Sequence, residues 1–202
     1  MNWIENELQK ENKLKIIGCD EVGRGCCAGP LVVAAVLFPT GYQNDQIYDS
    51  KKLSDKQRRK LVSIIQKDAI EYHYQVISSK MVDQLNPKNA SIFAMENAIK
   101  SFTNIPDLVL TDFEKITCEY EQINLIKGDQ KSISIAAASI LAKVYRDDYM
   151  IELAKEFPKY GFEKHKGYCT KDHEQAMGKY GLINEHRITY KNVAKYLKNK
   201  QN

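Results

Sequence analysis

Two apolar runs, 14–19 and 31–38, are rich in Val, Ile and Leu and are separated by a glycine-rich stretch. Their short connection predicts an antiparallel pair of strands. A third strand is read at 71–78. Ahead of it, Ser54 and Gln57 have the spacing of a capping box, and Leu61, Ile64 and Ile65 follow on one helical face. A second helix is read at 86–102, with Pro87 suited to its first turn. Short apolar segments at 108–112 and 123–127 predict two more strands, each flanked by helix, which is the alternation of an α/β fold. Ile133, Ala136, Ala137, Ile140, Leu141 and Val144 recur at three and four residues. They predict a long helix whose small residues let it lie close on a sheet, running to Phe157 and stopped by Pro158. Weaker helical patterns stand at 171–179 and 190–197.

With 202 residues, 43% of them hydrophobic, the chain can bury one core. The reading is a body at 1–158 and a small C-terminal helical subdomain at 159–202. The C-terminal part holds ten Lys and Arg against four Asp and Glu, whereas the whole chain has a net charge of only +4. The body therefore leans acidic and the tail basic. No run approaches the length of a membrane span, and the polar stretch 1–13 lacks the apolar core of a secretion signal, so a cytoplasmic protein is expected. The five cysteines show no C-x-x-C spacing, which favours reduced thiols over a disulfide framework or a zinc site.

Acids stand where strands are read to stop: Asp20 with Glu21 after the first, Asp112 at the fourth, and Asp129 between the fifth and the long helix. Any one of them is ordinarily a turn residue or a cap, and Asp129 has a ready explanation in the positive end of that helix. If the four converge, their mutual repulsion calls for a cation. Oxygen donors without His or Cys suit Mg²⁺ or Mn²⁺, and such ions serve phosphodiester cleavage. Composition alone leaves a phosphatase or a polymerase fragment equally open.

The ordered series Asp20-Glu21-Val22-Gly23-Arg24-Gly25, Asp49-Ser50-Lys51-Lys52-Leu53-Ser54, Ala94-Met95, Lys127-Gly128-Asp129, Ala138-Ser139-Ile140-Leu141-Ala142-Lys143, Arg146-Asp147 and His165-Lys166-Gly167-Tyr168 resembles the bacterial ribonuclease HII family, of the type 2 ribonucleases H. Ribonuclease HIII carries Gly-Lys-Gly where this chain has Gly23-Arg24-Gly25. The resemblance implies a ribonuclease H-like mixed sheet with helices on both faces, and a C-terminal portion forming part of a substrate groove. It implies a metal-dependent endonuclease of ribonucleotide excision repair, with RNA/DNA hybrid and ribonucleotide-containing duplex DNA as its partners. Such an enzyme hydrolyses the RNA strand of hybrids and incises 5′ of single embedded ribonucleotides, leaving 3′-hydroxyl and 5′-phosphate ends. Asp20, Glu21, Asp112 and Asp129 would be its catalytic metal-binding carboxylates, holding Mn²⁺ or Mg²⁺, and Tyr168 would pack on the RNA-to-DNA junction.

The residues themselves fit such a substrate. Gly23 and Gly25 let backbone approach a ribose 2′-hydroxyl, Arg24 suits a neighbouring phosphate, and Lys51 and Lys143 could reach phosphates, a solvated lysine being an equal reading for each. Lys159, Lys164 and Lys166 interleave with Tyr160, Phe162 and Tyr168, although burial is the expected fate of Tyr160 and Phe162. His165, His173 and His186 lack metal-ligand spacing. The chain departs from the family pattern at Cys26 and Cys169, where proline is usual, and at Phe113, where glycine is common. Strand alternation would place Glu114 on the same side as Asp112. The terminal 198–202 shows no sliding-clamp peptide, and a monomer is expected. The alternatives are a ribonuclease HIII-like hybrid nuclease and a non-catalytic nucleic-acid binder.

Overall fold

Five strands form one mixed sheet in the order β3-β2-β1-β4-β5, in a computed structural model that describes residues 3–10 and 14–197. They are β1 (Ile16–Val22), β2 (Leu31–Leu37), β3 (Glu71–Ile77), β4 (Leu108–Asp112) and β5 (Glu121–Leu125). β1 and β2 pair antiparallel, as their short connection predicts, while β1 with β4 and β4 with β5 run parallel. Among the described residues eight α-helices complete the fold: α1 (Ile4–Leu8), α2 (Asp55–Asp68), α3 (Ser79–Leu85), α4 (Pro87–Lys100), α5 (Ile133–Glu156), α6 (Phe162–His165), α7 (Lys171–Tyr180) and α8 (Lys191–Ala194).

The chain forms two compact units, each drawn from separate stretches of sequence. The first is Met1–Val22, Val32–Gln75 and Ile92–Val144, and the second is Gly23–Leu31, Val76–Ser91 and Tyr145–Asn202. In the first, Val32, Ala34 and Val36 of β2 bury against Ala136, Ala137 and Ile140 of α5 and Leu61 and Ile65 of α2. A Cβ on Gly18 would stand 2.4 Å from the Ile135 amide nitrogen, so α5 rests on the bare backbone of β1. On the opposite side of the sheet Ile17, Val33, Ala35 and Val109 are also fully buried, so both faces are covered. The second unit centres on Ala28, Met150, Tyr160, Phe162 and Ala176, and on Cys27, Met177 and Val193.

The capping box of α2 forms as read: Ser54 Oγ accepts from the Gln57 amide, and Gln57 Oε1 accepts from the Ser54 amide. Four points differ from the sequence reading. β1 runs on through Asp20 and Glu21, because their backbones still pair with Ala34 and Val33 of β2 after the β4 ladder has ended at Cys19. β5 begins and ends two residues early, since Lys127 takes a left-handed φ of 57° that no strand continues through. No helix separates β4 from β5. Side chains order that connection instead, with Gln122 bridging both backbone groups of Ile116, and Thr111 Oγ1 and Asn124 Nδ2 donating to the Glu114 carbonyl. Helices α1, α3 and α6 have seven residues or fewer, too short for a periodic signal.

Candidate functional site

The parallel register of β1 and β4 ends at Cys19 opposite Thr111, which leaves Asp20 and Asp112 side by side one residue further on. Paired residues of parallel strands share a face, and Gly18, two residues before Asp20, faces α5. Asp20 meets that helix again at Ser139, whose hydroxyl donates to its carboxylate. The spacing agrees, since two strand residues advance about 6.6 Å and four or five helical residues about 6–7.5 Å. Asp112 Oδ1 accepts from the Gly128 amide at 2.7 Å, and Asp20 Oδ1 from the Glu21 amide at 2.7 Å. Burial, then the charges of Glu21 and Asp112, push the Asp20 carboxyl well above the ordinary carboxylate value, against the lowering effect of the two hydrogen bonds. Strand alternation gives Glu21 the opposite face of β1, yet its charge is still felt at Asp20.

Asp129 sits in a one-turn 3₁₀ segment, Gly128–Gln130, and is buried. Its ordinary explanation as a helix cap does not hold, because Glu5 fills that role. The Glu5 carboxylate accepts from Ser132 Oγ at 2.6 Å and from the Ile133 and Ser134 amides at 3.3 and 3.0 Å. Asp129 instead faces Lys51, with Nζ 3.7 Å from Oδ2. Burial, then the charges of Asp49 and Asp112, raise its pKa, and Lys51 works against them. For Lys51 burial acts downward, but attraction to Asp129, Asp20, Asp49 and Asp112 outweighs it and the ammonium pKa rises.

Sequence reasoning gave no role to three residues that tie these acids together. Ser139 shares a 2.9 Å hydrogen bond with Ser50. Asp49 accepts from the Lys51 amide at 3.0 Å and from Gln130 Nε2 at 3.1 Å. The only available signal was the presence of Asp49, Ser50 and Ser139 inside the recurrent motifs. Lys143 follows Ser139 by four residues on α5, hence on the same helical face, and is half-buried. Glu114 is buried, but Phe113 adopts a φ of 66°, which breaks the strand alternation on which its expected place beside Asp112 rested.

The acids fit a hard divalent cation by donor chemistry: all are carboxylates, and they sit close enough to raise one another's pKa. Among the described residues no three His, Cys, Asp or Glu side chains stand ready to close on one ion. A Mg²⁺-like ion retains part of its water shell and needs one or two direct carboxylates rather than a complete protein cage.

In the second unit the segment 23–30 is built around two fully buried arginines. Arg146 donates to the carbonyls of Pro30, Lys166 and Ala28 at 2.8, 2.8 and 3.1 Å. Arg187 donates to Gly29, Gly23 and Arg24 carbonyls at 2.8, 2.8 and 3.1 Å, and Tyr190 Oη adds a 2.6 Å bond to the Arg24 carbonyl. The carbonyls of Gly23 and Arg24 are therefore committed to the protein. Gly23 has a φ of 94° and packs on Arg146, while nothing lies within 4 Å of a Cβ on Gly25.

Tyr168 is 46% exposed, and its hydroxyl meets the Cys26 thiol. Burial and then Cys26 raise its pKa. Behind it, the Ile183 amide donates to His186 Nδ1 at 3.0 Å, which puts the His186 proton on Nε2, 3.1 Å from His173 Nε2. His173 Nδ1 then donates to the Tyr168 carbonyl at 2.9 Å. The histidines are thus structural, and Tyr160 and Phe162 are buried as expected.

No helix among the described residues is long and apolar enough to cross a membrane. The sequence model of the family described as Ribonuclease HII matches residues 17–193. A ribonuclease HII of Caldicellulosiruptor bescii is 46% identical over 192 residues, covering 94% of this chain and 93% of that one. One from Mycoplasma capricolum is 47% identical over 198 residues, covering 96% of each. The crystal structure of ribonuclease H2 from Pyrococcus horikoshii OT3 superposes with a TM-score of 0.81 at 24% identity, over 94% of this chain and 100% of that chain. The chain therefore belongs to the ribonuclease HII family, nuclease hydrolases with ribonuclease H activity on RNA/DNA hybrids.

Proposed function

We propose that this chain is an endoribonuclease that, besides the RNA strand of hybrids, incises duplex DNA 5′ of a single embedded ribonucleotide, leaving 3′-hydroxyl and 5′-phosphate ends. Its place is the cytoplasm, as a monomer, in the removal of ribonucleotides from DNA. The observation that carries the reading is the register of Asp20 beside Asp112, with the Asp20 carboxyl driven upward in pKa. Two acids held together at that cost suit a site that receives a metal ion.

Asp20, Glu21, Asp112 and Asp129 would hold Mg²⁺ or Mn²⁺. When bound, the ion supplies a more acidic coordinated water and neutralises charge on the phosphate. Ser139 and the Glu21 and Gly128 amides fix the carboxylates of Asp20 and Asp112. Lys51 and Lys143 bring positive charge for phosphate oxygens. In the second unit the turn Gly23-Arg24-Gly25 meets the ribose and its phosphate. Since the Gly23 and Arg24 carbonyls are already engaged, amides of this turn are the groups offered to the 2′-hydroxyl. Tyr168 packs on the sugar at the RNA-to-DNA junction. The segment 198–202, where no sliding-clamp peptide is read, lies outside the described residues.

A DNA duplex containing one ribonucleotide, incubated with Mg²⁺ or Mn²⁺, tests the reading. Incision 5′ of the ribonucleotide is expected, with loss of activity in Asp20→Asn. An intact duplex beside a cleaved uniform hybrid would assign the chain a ribonuclease HIII-like preference. Full activity in Asp20→Asn would remove the carboxylate mechanism.

A further inference from the structure

The paired β4–β5 ladder ends at Asp112 and Leu125, and the next residue of each strand is large and apolar. Phe113 follows Asp112 and Ile126 follows Leu125, its partner in the β4–β5 ladder. Both are in water, 64% and 65% exposed. The strand ends remain tied, since the Phe113 amide donates to the Leu125 carbonyl at 2.9 Å. Phe113 has a φ of 66°, and Lys127, immediately after Ile126, a φ of 57°. A bulky side chain in the left-handed region is unusual and strained, and Gly or Asn is the residue that region ordinarily takes. The chain thus keeps an aromatic ring in an unfavourable backbone and in solvent, directly beside a carboxylate of the candidate site.

We infer that Phe113 and Ile126 form an apolar platform for the sugar face of the nucleic-acid strand bound at the carboxylates. The inference rests on the nuclease reading. Two observations select a nucleic acid as occupant over a protein. The patch is continuous in the chain with Asp112, and the exposed cations Lys115, Lys127 and Lys131 border it in sequence. Cations beside an exposed aromatic suit a phosphate backbone whose sugars and bases present apolar faces.

The test is equilibrium binding of a fluorescently labelled RNA/DNA hybrid by anisotropy, with EDTA present so that no cleavage intervenes. Phe113→Asn keeps a residue tolerant of the left-handed backbone and removes the ring. It is expected to bind about fivefold more weakly, the low end of aromatic contacts to nucleotides, with an unchanged slope of affinity against salt because no ionic contact is lost. Its melting temperature is not expected to fall. Phe113→Trp is expected to stay within about twofold of the parent, and Ile126→Ser to lose about two- to threefold. Equal affinity of the parent and Phe113→Asn overturns the inference, as does a Phe113→Trp variant that binds as weakly as Phe113→Asn. Failure of the nuclease reading shows elsewhere: the parent, given Mg²⁺ or Mn²⁺, would leave both the hybrid and the single-ribonucleotide duplex intact. A parent that does not bind the hybrid in EDTA overturns the platform, which needs no metal, and leaves the nuclease reading to that cleavage assay.

Discussion

Lys51 Nζ lies 3.7 Å from Asp129 Oδ2, on a side chain 82% exposed that meets a carboxylate 4% exposed. The ammonium occupies the electrostatic position of a cation among four acids that all raise its pKa. Because the lysine is exposed, the pair adds little to stability, less than about 0.5 kcal/mol.

Lys51→Gln is therefore expected to melt with the parent but to change metal dependence. With the competing ammonium gone, half-maximal activation should need about threefold less Mg²⁺, while the KM for hybrid rises several-fold through the lost phosphate contact, as expected when one charge pair worth about 1 kcal/mol is removed. A Mg²⁺ titration at saturating hybrid checks the first, and a hybrid titration at saturating Mg²⁺ the second, each against the parent. An unchanged activation midpoint would show that Lys51 does not compete with metal.

Asp20→Asn separates stability from activity. The carboxyl is buried and its pKa is raised, so without metal the charged form costs stability. The protonated acid is favoured in the folded chain, and that cost is absent below the ordinary carboxylate value near 4, growing as pH rises toward the raised folded value. Neutral Asn escapes it. The variant should melt about 2–4 °C higher than the parent at pH 8 without metal, equivalent to about 1 kcal/mol, and hydrolyse about 10³-fold more slowly. In the parent, the melting increment given by Mg²⁺ should be larger at pH 8 than at pH 5, because the ion binds the ionised acids. Scanning calorimetry at both pH values decides it.

The buried imidazoles act with the opposite sign. Burial lowers His173 and His186 to about 4, so the unfolded chain takes up protons first. Their stabilisation is complete above the ordinary histidine value near 6.5 and disappears as pH falls to about 4. His186→Gln keeps an amide able to donate toward His173 but does not titrate. Its destabilisation relative to the parent should shrink by about 2 kcal/mol between pH 7.5 and pH 4.5. Urea denaturation at the two pH values measures this, and a constant difference would mean that His186 does not titrate on unfolding.

What could be read from the chain and what could not have distinct physical causes. α2 and α5 were legible because caps and periodicity are local: Ser54 with Gln57, and Ile133 through Val144. Asp20 and Asp112 were legible as acids at strand ends, but their adjacency depends on the β1–β4 register, a contact across about ninety residues that no local pattern encodes. Glu5 at the head of α5 is the same case, a cap supplied from 127 residues away. Arg146 and Arg187 read as ordinary cations until the fold closed them over the carbonyls of the 23–30 segment.

That enclosure distinguishes two glycines that look alike in sequence. A Cβ on Gly23 would lie 2.2 Å from Arg146 Nε, a guanidinium pinned by three carbonyls, and the φ of 94° already disfavours any side chain. Gly23→Ala should therefore destabilise the fold by about 2 kcal/mol or more, visible as a lower melting temperature whatever the substrate. Gly25 has open space around it and no left-handed φ. Gly25→Ala should melt within about 2 °C of the parent, since surface changes of this kind stay within roughly 0.5 kcal/mol. If the Gly25 backbone approaches the ribose, the same methyl should lower kcat/KM on the single-ribonucleotide duplex by about tenfold or more. Parallel melting curves and cleavage assays of the two variants make the comparison. A Gly25→Ala enzyme as active as the parent would restrict the turn's role to the shape that Arg146 and Arg187 impose on it.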